Sequence, residues 1–176
     1  MNHQKIFHYL FLLLLLIGCD EKKEQGMDIN DLKLNQIQVI GSHNSYRMHP
    51  TAEMFNLMIG LNPELAAELD YDHPSFDAQF SQHGIRQIEI DVYYDPEGGL
   101  FYNRRGNLFI GLPVPSGIEE LLDPGLKVLH FPDIDYRTHY ITFVDALTAV
   151  KTWSDANPNH IPIFILVEAK EDGITS

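Results

Sequence analysis

The sequence predicts an α/β fold, and three observations predict it. Short apolar runs alternate with stretches of helical periodicity from Gln38 onward. The last run, residues 161–167, is apolar on both faces, as a strand buried in a parallel sheet is. Four of the runs, at 38–44, 87–91, 126–130 and 163–170, end in ionisable or oxygen-bearing side chains. Such a pattern brings chemically active groups together at the carboxyl ends of strands without proximity in sequence.

The first eighteen residues stand apart from any fold. Lys5 precedes an apolar run from Ile6 to Ile17, too short for a membrane span of roughly 20 residues and matching the apolar part of a secretory leader. The run closes on Leu16-Ile17-Gly18-Cys19, the pattern of a bacterial lipobox, in which Cys19 becomes the lipidated first residue of the mature chain. The expected organisation is a lipoprotein signal peptide at 1–18, a polar tether at 19–36 and a globular domain at 37–176, held by its lipid in a bacterial cell envelope. Cys19 is the single cysteine, so no intrachain disulfide exists.

Composition bounds the partners. With 44% hydrophobic and 21% charged residues the chain can build a core, and its formal net charge of −13 argues against nucleic acid and against tight docking on anionic bilayers. A negative substrate is still admissible, because a bound divalent cation inverts the local field.

Along the domain, 51–70 is expected to hold two short helices, the second opening at Asn62-Pro63 with Glu64 in its first turn. Ser75 stands where a cap would start a helix ending near His83, with Gly84 as its stop. Residues 95–117 are dense in Gly and Pro and imply loops, with 101–102 and 108–110 expected to pair as a small ribbon. Ser116 and Glu119 match a capping box, as do Thr142 and Asp145. The latter pair opens the clearest helix, with Phe143, Ala146, Leu147, Val150 and Trp153 on one stripe and Asn157-Pro158 at its end. Four strand-and-helix units are therefore expected.

The side chains closing the runs suggest a reaction class. Glu89 and Asp91 are two apart on a strand and share a face, where paired carboxylates are costly unless a cation neutralises them. A hard cation takes oxygen ligands from several directions. His43 and His130 offer one group to accept a proton and one to give it. Lys170 shares a strand face with Glu168 and is a mobile charge for a phosphate or a sugar hydroxyl.

Gly-Ser-His-Asn-Ser-Tyr at 41–46, Glu-Ile-Asp at 89–91, Lys-Val-Leu-His-Phe-Pro-Asp-Ile-Asp at 127–135 and Val-Glu-Ala-Lys at 167–170 together resemble the calcium-dependent phosphoinositide-specific phospholipase C-like phosphodiesterases, in their bacterial form. The resemblance implies a TIM-type (β/α) barrel holding one Ca²⁺, of which this chain supplies the N-terminal half. The residues after the leader fall well short of the roughly 250 of a closed barrel, so truncation after the fourth strand is expected. It further implies His43 as general base or phosphoryl donor, His130 as general acid, and Asn44, Glu89, Asp91 and Glu168 as calcium ligands. Metal-independent relatives pair the first histidine with a charged residue, a task the Asn44 amide cannot perform. Lys170 and Arg137 are expected to contact the substrate, with Arg104 and Arg105 as weaker candidates. Asp133 and Asp135 are either partners of His130 or loop residues, and Tyr46, Tyr93 and Tyr94 either line the cleft or pack.

The implied reaction is attack of a neighbouring hydroxyl on phosphorus to give a cyclic phosphate. The main rival is a glycerophosphodiester phosphodiesterase, which also uses two histidines and a Glu-x-Asp pair. It normally carries His-Arg-Gly and His-Asp where this chain has His43-Asn44-Ser45 and His130-Phe131. A non-catalytic lipid- or glycan-binding lipoprotein is the alternative outside enzymes, disfavoured by the presence of both histidines.

Overall fold

The computed structural model describes residues 31–171. The leader, Cys19 and most of the tether lie outside the described residues. The chain divides into two units at Ile37 and Gln38. In the first, the 3-10 turn Leu34–Gln36 is closed by the Gln36 side chain accepting from the Lys33 amide (3.0 Å).

The second unit is built on a long central strand. β1 (Gln87–Asp95) pairs along one edge with β3 (Phe164–Lys170), parallel, in register from Gln87↔Phe164 to Tyr93↔Lys170. Along its other edge the carboxyl half of β1 pairs with β2 (Gly125–Val128), antiparallel, from Val92↔Val128 to Asp95↔Gly125. The sheet is open, in the order β2-β1-β3.

This topology corrects the expectation of four parallel strands. The third run returns antiparallel because only 3-10 turns, Arg105–Ile110 and Glu119–Leu121, separate it from β1; a parallel neighbour needs a crossover. Such a crossover does lead to β3, through helix α4 (Phe143–Ala156). The first run is no strand. Gly41 makes one parallel bridge to Gln87, after which the chain turns. The fourth run is parallel as expected but lies at the sheet edge, leaving Leu166 54% and Val167 43% exposed. The expected ribbon at 101–110 is replaced by the 3-10 turn, with Asn103 bridging Pro115 instead.

The helices follow their local signals closely. α1 (Ala52–Leu61) is capped by Thr51, whose hydroxyl accepts from the Met54 amide (3.3 Å). α2 (Pro63–Glu68) is capped by Asn62 Oδ1 accepting from Leu65 N (3.1 Å), with Pro63 at the first position. α3 (Phe76–Gln82) starts after Ser75, whose side chain makes no capping bond. The Thr142–Asp145 capping box of α4 forms in both directions, at 3.1 and 3.0 Å. The Ser116–Glu119 box does not; Ser116 Oγ instead accepts from Ile118 N at 3.2 Å. No helix among the described residues is long and apolar enough to cross a membrane.

Alternation along β1 divides the molecule into a packed side and a chemical side. Ile88, Ile90 and Val92 pack with Phe76 and Phe80 of α3 and with Ala146, Val150 and Trp153 of α4. Leu147, placed on the same stripe by periodicity, is instead 38% exposed. Glu89, Asp91 and Tyr93 take the opposite face. A second cluster, Met54, Met58, Ala66, Leu69 and Tyr136, joins α1 and α2 to the loop beyond β2.

Since Ile90 is fully buried in the cluster that holds the chain's single tryptophan, Ile90→Ala is expected to cost about 2–5 kcal/mol of stability. Urea unfolding followed by Trp153 fluorescence reads this directly.

Candidate metal centre

The parallel register of β1 and β3 places Asp91 opposite Glu168, two positions from Glu89 on the same face of β1. Oxygens of Glu89, Asp91 and Glu168 lie within 4.8 Å of one another, the only such group among the described residues. Asp91 is fully buried, Glu89 is buried and Glu168 opens to solvent. Burial drives the Asp91 carboxyl above its usual range, opposed by Lys170 and reinforced by Glu168. The Lys170 ammonium bridges the last two, 3.1 Å from Asp91 Oδ2 and 2.8 Å from Glu168 Oε1. Burial alone lowers the Lys170 pKa, but bonds to these two carboxylates outweigh it and hold the ammonium above its ordinary range.

Asn44 joins this cluster through the turn that ends the first run. Its φ of 49° is the only left-handed value at a non-glycine position among the described residues, a conformation asparagine tolerates well. The turn is closed by Arg47 N donating to Asn44 O (2.9 Å). The Asn44 amide N–H donates to Glu89 Oε2 (3.2 Å), and its Nδ2 donates to the Tyr71 hydroxyl (3.0 Å). Its Oδ1 is buried without a hydrogen bond, as is Asp91 Oδ1, while Asp91 Oδ2 faces the Lys170 ammonium. Buried oxygens of this kind are rare unless something further binds them. Four hard oxygen donors from three segments, several with unused lone pairs, fit Ca²⁺, which takes six to eight oxygens and draws the remainder from water or substrate.

His43 lies beside the cluster, and His130 stands on the loop that follows β2. His43 Nε2 lies 3.4 Å from Glu89 Oε2, with its side chain 73% exposed. The His43 carbonyl accepts from His73 Nε2 (2.8 Å), and the His73 carbonyl accepts in turn from His139 Nε2 (2.7 Å), so two other histidines strap down this loop. His43, Tyr71 and His73 also line a groove of about 600 Å³. His130 is buried. Its Nδ1 donates to Asp135 Oδ2 (2.8 Å), which leaves Nε2 to accept a proton when the ring is neutral and to give one when it is cationic, and its carbonyl accepts from the Tyr93 hydroxyl (3.0 Å).

Asp135 is thus the partner of His130, whereas Asp133 accepts from the Arg105 amide (2.7 Å). Gly106 fits against Asp133 so closely that a Cβ there would meet its carbonyl oxygen at 2.0 Å, which fastens the 3-10 turn to the loop after His130. Tyr46 is buried, its hydroxyl under the influence of both Asp91 and Asp135, and burial with Asp91 pushes the phenol far up. Arg137 donates from Nη1 to the His49 carbonyl (2.7 Å). Tyr94 is exposed, and Arg104 stacks on Tyr136 with 4.0 Å between guanidinium and ring centre. Sequence reasoning missed Arg47 and Tyr71. Neither ends an apolar run, and their roles arise from contacts spanning 22 to 88 residues.

An α/β scaffold that gathers three carboxylates on one sheet face, with a histidine beside them, defines a candidate divalent-cation site. The family model for Ca²⁺-dependent phosphoinositide phospholipase C matches residues 32–176, and the chain belongs to that family. Its cofactor is accordingly Ca²⁺, and the acidic cluster is the place that can hold it. Comparison with curated proteins and with solved structures finds no significant match.

A cation that binds only the folded chain stabilises it by about 2.7 kcal/mol at a hundredfold excess over Kd. Calcium is therefore expected to raise Tm by roughly 5–10 °C and a chelator to reverse the shift, as read by differential scanning calorimetry. Lys170→Met is expected to widen the gap between the two conditions, because Asp91 then has no cationic neighbour in the calcium-free state. An unchanged Tm with calcium would count against the site.

Proposed function

We propose that this protein is a Ca²⁺-dependent phosphodiesterase of the phospholipase C type, cleaving a phosphodiester through a cyclic phosphate. The observation that carries the reading is the convergence of Glu89, Asp91 and Glu168 within 4.8 Å, with Asn44 bonded to Glu89 and His43 beside it. The family description supplies the substrate type, a phosphoinositide.

In this reading Asn44, Glu89, Asp91 and Glu168 hold the calcium ion. A calcium ion held there would supply Lewis-acid stabilisation of the charge that develops on the phosphoryl group. His43, exposed toward the groove, takes the proton from the attacking hydroxyl or donates to a phosphoryl oxygen. His130, oriented by Asp135 through Nδ1, would act as the imidazolium, giving its Nε2 proton to the departing alkoxide and remaining as the neutral Nδ1–H ring. Lys170 moves from its two carboxylates toward the phosphate as a point charge. The Leu16-Ile17-Gly18-Cys19 pattern supports a lipid anchor at Cys19, which would hold the domain at a bilayer that carries its substrate.

His130→Ala is expected to reduce turnover about 10²- to 10⁴-fold in the full-length protein while leaving the calcium-induced rise in Tm intact. Phosphatidylinositol hydrolysis followed by ³¹P NMR, with and without chelator, should show a cyclic phosphate that forms only with calcium. An open monoester as the sole first product would instead favour direct attack by water.

A further inference from the structure

Arg47 is a fully buried charged side chain, with no exposed surface. Every arm of its guanidinium is committed. Nε donates to Asp135 Oδ2 (2.6 Å), Nη2 donates to the Leu69 carbonyl (2.7 Å) and Nη1 donates to the Tyr71 carbonyl. Its Cζ also lies 4.4 Å from the centre of the Tyr71 ring, a cation–π distance. The backbone at 47 ties the same segments, with N donating to Asn44 O (2.9 Å) and O accepting from His73 N (3.1 Å).

Two lines of contact leave this guanidinium and end on different parts of the proposed machinery. One passes through Asp135, whose Oδ2 also accepts from His130 Nδ1 (2.8 Å). Asp135 is itself held by paired backbone bonds with Phe131 at 3.0 and 3.1 Å. The other passes through Tyr71, whose hydroxyl accepts from Asn44 Nδ2 (3.0 Å). With Nδ2 committed there, the amide keeps its orientation and Oδ1 remains buried and unbonded. A lysine could satisfy one of these acceptors but not the planar fork and the stacked ring together.

We propose that Arg47 is a positioning residue that orients the calcium ligand Asn44 through Tyr71 and the proton donor His130 through Asp135. The inference rests on the calcium site and histidine role given under Proposed function, and adds that one buried cation sets both. An Arg47 that served only as a core ion pair would affect stability alone.

The test uses the full-length protein, with calcium affinity from titration calorimetry and the His130 tautomer from imidazole ¹⁵N shifts assigned by comparison with His130→Gln. Tyr71→Phe keeps the ring and removes only the hydroxyl, so it should weaken calcium binding about five- to tenfold and leave the tautomer at Nδ1–H. Arg47→Lys should weaken calcium binding by at least as much and also shift His130 away from the Nδ1–H form. Calcium affinity in Tyr71→Phe equal to the parent's overturns the inference, even if Arg47→Lys fails to fold. A folded Arg47→Lys with an unaltered tautomer overturns it too. A parent that binds no calcium refutes the metal reading itself, and is distinguishable from both.

Discussion

The structure on the chemical side of the sheet is organised around one uncomfortable group, the Asp91 carboxylate. It is fully buried and lies within a few ångströms of two further carboxylates. An ionised acid in such a place needs a compensating positive charge. Lys170 supplies it here, reaching across from the adjacent strand because Tyr93 and Lys170 are in register. Divalent calcium, the family's cofactor, would neutralise the cluster more fully than a single ammonium can. The Lys170 ammonium reaches Asp91 and Glu168, so it stands against two of the carboxylates that could hold the ion.

The length of β1 is what makes this arrangement possible. Its first half is a parallel neighbour of β3 and carries the carboxylates; its second half is an antiparallel neighbour of β2, which delivers the chain to His130. One strand thereby presents both the metal ligands and the platform for the second histidine, with Tyr93 hydrogen-bonded to the His130 carbonyl. Its other face carries Ile88, Ile90 and Val92 into the helices, so the position of the carboxylates is fixed by core packing behind them. Strict alternation makes the two faces inseparable: a one-residue slip in register would exchange carboxylates and isoleucines.

Much of this was legible in the amino-acid sequence because it depends on local periodicity. The Glu89/Asp91 pairing follows from the two-residue repeat of a strand, the α4 capping box from Thr142 and Asp145, and the α2 start from Asn62-Pro63. The motifs at 41–46, 89–91, 127–135 and 167–170 also suffice to place the chain in its family. Other elements failed because propensity was overridden by connection. Residues 126–128 read as one more parallel strand, yet without a helix in the excursion from β1 they could only return antiparallel. Residues 108–110 read as a strand and form a 3-10 turn seated against the Asp133 loop.

What the sequence determined by itself was the set of reactive groups and the strand on which two of them ride, since both follow from residue identity and a period of two. What only the tertiary structure decided was which groups meet. It made Asp135 rather than Asp133 the partner of His130, bonded Arg137 to the His49 carbonyl, and tied Arg47 to Asp135 and Tyr71 to Asn44. These contacts join side chains up to 88 residues apart through loops. Loop geometry depends on the packing of everything around it, and no local pattern encodes that.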